Sequence, residues 1–158
     1  MSTVFAVRAR IAELLTSNPD LTDVQVNYGV PRNRDDLTGD SGVRSAVWLG
    51  DAQLAWDIVA LGTPVYYDEQ YTFEIITQCL GQTSADTQDV MDARASVILQ
   101  ALVDMLVADT TLGGLEVSGW IDIEVTLGTA RVHTGYTAGS KSYNVRIEAM
   151  CQVRARRG

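Results

Sequence analysis

Residues 71–80 read YTFEIITQCL, and this stretch decides the fold class. Tyr71, Phe73, Ile75, Thr77 and Cys79 share one side of an extended chain, and Thr72, Glu74, Ile76, Gln78 and Leu80 share the other. β-Branched and aromatic residues dominate it, which predicts a strand that Gly81 closes. Downstream, Ile121, Ile123, Val125 and Leu127 alternate with Asp122, Glu124 and Thr126. Tyr143, Val145, Ile147, Ala149, Cys151 and Val153 alternate with Asn144, Arg146, Glu148 and Gln152. Two such runs predict an antiparallel pair with one apolar and one polar face. Upstream, Val24, Val26 and Tyr28 repeat the two-residue period as far as Gly29 and Pro31. Residues 47–51 read as a turn, and residues 53–61 as a further strand ending at Gly62 and Pro64. Asp68 and Glu69 fall in the turn before Tyr71, where solvated charge is usual.

Two segments carry the helical period instead. Val4, Val7, Ile11, Leu14 and Leu15 recur at steps of three and four, with Ser2 or Thr3 available as N-cap and Ser17, Asn18 and Pro19 as the stop. Val90, Val97, Ile98, Ala101, Leu102, Met105 and Leu106 form the stripe of a second helix. Asp86, Asp89 and Asp92 lie at its positive end, and Thr110, Thr111, Gly113 and Gly114 follow it. The expected class is α+β, a mostly antiparallel sheet with two amphipathic helices packed on one face. The expectation is a single domain over residues 1–158, with long flexible connections at about 32–45 and 128–142. Removal of residues 33–44, which carry almost no core-forming side chains, is expected to leave the fold intact while weakening assembly.

Composition narrows the functional classes. The 158 residues hold 20 acidic and 12 basic side chains, net −8, which opposes general binding to phosphate backbones. The C-terminal Arg154, Arg156 and Arg157 read as the solvated end of a strand rather than as a phosphate contact. No apolar run is long enough to span a bilayer and no leader is evident, so no membrane role is expected. Cys79 and Cys151 are far apart and lack the spacing of a metal knuckle.

Candidate chemistry is sparse. His133 is the only histidine and lies near no candidate nucleophile. Asp35, Asp36 and Asp40 lack the spacing and terminal glutamate of an EF-hand loop. Gly113 and Gly114 follow a helix, where glycines cap, rather than precede one, where they would cradle phosphate. No cofactor and no metal are expected, and an enzyme acting through its carboxyl groups has no support beyond their number. The residues singled out as a subunit or partner interface are Trp48, Tyr66, Tyr67, Trp120, Arg34, Asp35, Asp36, His133 and Tyr136. Trp120 stands on the outward parity of Asp122 and Glu124, which fits either an interface anchor or burial within the monomer.

In element order and in several phrases the chain resembles the tail terminator proteins of long non-contractile-tailed bacteriophages. These phrases are the opening helix with Val4, Phe5, Leu14 and Leu15; the strand Val24 to Tyr28 ending in Gly29; Val47 to Asp51; the strand Tyr71 to Leu80; and the helix from Asp89 into Asp109, Thr110, Thr111, Leu112, Gly113 and Gly114. The resemblance implies a structural virion protein of the tail-neck region, assembled in the host bacterial cytoplasm. It implies a homo-oligomeric ring, commonly a hexamer, that caps the tail tube, stops its polymerisation and offers the head-attachment surface. Its partners would be its own copies, the tail-tube protein and a head-completion or stopper protein, with DNA passing through the lumen without specific binding. A connector, stopper or tube subunit of the same neck, a small carboxylate-dependent enzyme, and a ligand-binding module with an apolar cavity are the competing readings.

Overall fold

Strand lengths set the shape of this molecule. The computed structural model describes residues 2–31, 43–60, 66–139 and 141–158, with backbone alone at Val43, Val59, Ala60 and Tyr66. In chain order these form helix α1 (Val4–Thr16), a 3-10 turn (Pro19–Leu21), β1 (Gln25–Asn27), β2 (Val43–Ala60) and β3 (Tyr66–Gly81). Helix α2 (Gln88–Ala108), β4 (Trp120–Thr137) and β5 (Ser142–Arg157) complete the order. One five-stranded sheet has the spatial order β1-β2-β3-β5-β4. All its pairings are antiparallel except β1 with β2, which run parallel from Gln25↔Ala46 to Asn27↔Trp48. The α+β class with both helices on one face is as the alternation dictates.

One core joins the helices to the sheet. Val4, Val7, Ile11 and Leu15 of α1 and Met91, Ala95, Ile98, Leu102 and Leu106 of α2 pack on Val47, Leu49, Phe73, Ile75, Val125, Ile147, Cys151 and Val153. Removing each large apolar side chain from water contributes roughly 1.5–3 kcal/mol, so this layer stabilises the fold. The α2 stripe lies about one residue round from the expected one: Val90 and Val97 are exposed, and Met91 and Ala95 take their place. Successive residues differ by about 100° on a helix, so a stripe with valines at both margins can be phased either way until the packing decides.

Bulges account for the other departures. The expected turn at 47–51 and strand at 53–61 are a single strand, β2, which also takes in residues 43–45 of the expected loop. The register shifts between Leu49 and Ala52, so Gly50 and Asp51 stand opposite Glu74 alone. A Cβ at Gly50 would come within 3.0 Å of Ile76 Cδ1 and 3.1 Å of Glu74 Cβ, so a larger residue there would have to displace both side chains slightly. Arg8 Nη1 donates to the Gly50 carbonyl and ties α1 to the bulge. A second shift separates Trp120 from Asp122 and leaves Ile121 without a partner. Trp120 therefore turns to the same side as Ile123 and Val125 and is buried, while Ile121 is exposed. Strict alternation placed both on the wrong face because one inserted residue inverts parity.

β3 begins at Tyr66, so Asp68 and Glu69 belong to a strand and not to a turn. Glu69 is fully buried. Arg34, Asp35, Asp36 and the rest of the 32–42 segment lie outside the described residues.

Candidate assembly surfaces

The sheet is longer than the helices that cover it. At about 3.3 Å per residue an 18-residue strand runs roughly 59 Å, whereas 21 helical residues at 1.5 Å span roughly 32 Å. The helices therefore leave part of each outer hairpin uncovered, and these two uncovered parts are called ribbons below. β3 and β5 pair over nearly their whole length, from Glu69↔Ala155 to Leu80↔Asn144, and the β2–β3 and β4–β5 connections lie at opposite ends of the sheet. Beyond the helix layer both faces of each outer strand are open, over residues 51–58 of β2 and 128–137 of β4, with only Leu54 and Gly135 half-buried.

Both ribbons carry large apolar side chains in that open part. Trp56 is 57% and Ile58 65% exposed on the first; Val132 is 58% and Tyr136 54% exposed on the second. The pairings Trp56↔Glu69, Ile58↔Tyr67, Val132↔Ile147 and Tyr136↔Tyr143 put all four on the helix side of the sheet, on strands that the helices leave uncovered there. Tyr136 packs on Tyr143 with ring centroids 4.9 Å apart. Apolar area of this kind, repeated at two ends of one molecule, is characteristic of surfaces that another protein covers.

At the root of the first ribbon, Glu69 organises a buried polar cluster. Its Oε2 accepts from Thr3 N at 2.9 Å and Thr3 Oγ1 at 2.8 Å, and its Oε1 accepts from Trp56 Nε1 at 3.3 Å. The Tyr71 hydroxyl lies 3.0 Å from Thr3 Oγ1; burial, more than the neighbouring Glu69, pushes its ionisation well above the ordinary tyrosine range. Beside this cluster, Arg157 lies over the rings of Tyr67 and Trp120 at 5.5 and 5.3 Å, and its backbone N–H donates to Asp68 Oδ1.

The residues singled out from the sequence divide accordingly. His133 and Tyr136 are exposed on the second ribbon, where His133 Nε2 is 3.3 Å from Glu148 Oε1. Tyr67 is half-buried, and only the backbone of Tyr66 is described. Trp120 is buried in the main core. Trp48 is buried on the opposite face of the sheet with Ala46, Ile76 and Leu80, beneath the Arg146 guanidinium. Trp56, Ile58 and Val132 were missed as a set. Trp56 and Ile58 stand two apart within the expected 53–61 strand, which was their one signal, and Val132 fell in the expected 128–142 connection.

Concavities on this surface are open ones. One, about 660 Å³, lies across the sheet between Gln53, Thr72, Glu124, Gln152 and Arg154. A second holds Glu116, Asp122 and Glu124 beside Arg154 and Arg156, with Arg156 paired to Asp122 at 3.2 Å. Among the described residues no histidine, cysteine and carboxylate side chains cluster as a metal site, and no helix is long and apolar enough to cross a membrane.

No protein-family model and no curated protein sequence matches the chain. Among solved structures it is similar in fold to a chain in the virion of a native gene transfer agent particle. The likeness has a TM-score of 0.51 at 13% identity and covers 97% of this chain and 98% of the other.

Proposed function

We propose that this chain is a structural, non-enzymatic virion protein, a ring-forming tail terminator that caps the head-proximal end of a phage-type tail tube and presents the head-attachment surface. The observation that carries the reading is the pair of apolar ribbons at opposite ends of one sheet. A closed ring needs two different surfaces on each copy, and a small domain with an uncovered apolar surface on each outer hairpin supplies them. Fold likeness over almost the full length to a chain of a virion particle supports the same class. Its partners in this reading are its own copies, the tail-tube protein and a stopper at the head, with DNA passing through a lumen that a net negative protein does not hold.

Likeness to one chain of a whole virion particle leaves the place within the particle open, so a neck connector and a tube subunit are the alternatives in the same class. Electron microscopy of particles made without this gene separates them. Overlong tubes beside unattached, DNA-filled heads are the expected result. Tails of normal length unjoined to heads would assign a connector, and an absence of tubes would assign the tube subunit. Intact infectious particles would overturn the virion role.

A further inference from the structure

The two ribbons differ in charge as well as in position. From Ser45 to Ala93 the sequence has eight acidic residues and no lysine or arginine; from Val125 to Gly158 it has six lysines and arginines and one acidic residue, Glu148. On the β2–β3 ribbon, Asp51 and Asp57 are exposed and Asp68 half-buried. Asp57 accepts a hydrogen bond from the neutral Gln70 at 2.8 Å. On the β4–β5 ribbon, Arg131, His133 and Lys141 are exposed and Arg146 half-buried. Of the C-terminal arginines, Arg156 pairs with Asp122, Arg157 lies over Tyr67 and Trp120, and the exposed Arg154 stands opposite Gln70. On the other ribbon Glu148 pairs with both His133 and Arg146 at 3.3 Å, so that ribbon's outward positive charge rests on Arg131 and Lys141.

We infer that successive copies join head to tail, the acidic β2–β3 ribbon of one, with Trp56 and Ile58, lying against the basic β4–β5 ribbon of the next, with Val132 and Tyr136. A second copy is the occupant because one chain carries both complementary surfaces, at ends of a sheet that cannot meet within the molecule. Two unlike patches make a heterologous contact, which closes as a ring or continues as a filament. At a net charge of −8 identical copies repel over most of their surface, and the opposed ribbons give them one attractive approach. This deepens the ring reading by naming its contact.

Sedimentation of the pure full-length chain tests it with two variants, Asp51→Lys/Asp57→Lys and Arg131→Glu/Lys141→Glu. Each alone should associate at least about tenfold more weakly than the parent, because both of its ribbons now carry one sign. An equimolar mixture should regain association, since each variant offers the ribbon that the other has lost, and raised salt should weaken the parent. Basic residues on an edge strand also guard against indiscriminate pairing. If that is their whole role, the reversals leave association unchanged and the inference falls. It falls equally if the parent stays monomeric at its highest soluble concentration or if the mixture does not recover. Circular dichroism checks the fold; should a double variant unfold, the single changes Asp57→Lys and Lys141→Glu take its place with the same expected pattern. The measurement uses no tail tube, so it can fail while the virion role stands, and the gene-deletion phenotype can fail while the association stands.

Discussion

Glu69 holds the start of α1 to the sheet: a single buried carboxyl group accepts from both the backbone N–H and the hydroxyl of Thr3, sixty-six residues away. Thr3 occupies the N-cap position yet makes no side-chain cap bond, because its hydroxyl is committed to Glu69 and Tyr71. Glu69→Ala would leave the buried Thr3 N–H and the Trp56 indole without their acceptor. The expected cost is about 3 kcal/mol, a fall of several degrees in Tm, with Glu69→Gln costing less. Thermal melts check it, and a Glu69→Ala protein that melts with the parent would show that the cluster is incidental.

Two tryptophans should separate stability from assembly. Trp120 is buried against Tyr67 at 6.0 Å, edge to face, so Trp120→Ala should cost about 3–5 kcal/mol in urea unfolding. Trp56 is mostly exposed and contributes one long hydrogen bond, so Trp56→Ala should cost under about 1 kcal/mol. The second substitution should nevertheless weaken self-association, measured by sedimentation. Equal stability losses from the two would contradict the different surroundings assigned to them.

Where periodicity ran unbroken, the sequence was legible. The 71–80 strand, α1, and the inward residues of β5 from Val145 to Val153 each follow one period and lie as that period requires. Legibility failed where one residue was inserted. The bulges at Gly50–Asp51 and at Ile121 break a strand's alternation without any turn, and they reversed the reading of Trp120 and divided β2. Glu69 was misread for another reason. Its type and neighbours suggest solvated charge, and only the fold brings Thr3, Trp56 and Tyr71 to it. The ribbons were half visible: residues 128–142, expected as a long flexible connection, are strand as far as Thr137 and again from Ser142, because pairing with β5 continues past the Leu127–Ala130 bulge, while the β2–β3 counterpart was hidden by the expected turn at 47–51.

The cysteines should be inert in the native state. Cys79 and Cys151 are fully buried, and burial pushes both thiols up, that of Cys151 to about 12. The thiolate is the reactive form, so a thiol reagent at pH about 8 should label neither until denaturant is added, when it should label both. The sign of the pH effect follows. A raised folded value means that the unfolded chain loses the proton first. The stability contribution is therefore complete below the ordinary value near 9 and is lost as pH rises towards about 12. Urea midpoints should fall across that alkaline window, and less steeply for Cys151→Ala. A flat profile, or rapid native labelling, would place the thiol in contact with water.

The parallel pairing of β1 sets a limit on what can be cut between β1 and β2. Asn27 lies opposite Trp48, so the chain must return about five residues along β2, roughly 16 Å, and cross to the next strand position before entering at Val43. Deleting residues 33–42 outright leaves residues 28–32 nearly straight across that gap, and β1 should detach; the wider deletion of 33–44 would also remove Val43 and Arg44 from their pairing with β3. Replacing 33–42 by ten glycine and serine residues preserves the reach. Because closure entropy depends on length far more than on composition, Tm should then stay within about 2 °C of the parent. A replacement that melts much lower would mean that side chains of 33–42 belong to the core, and thermal melts of the two variants side by side distinguish reach from sequence.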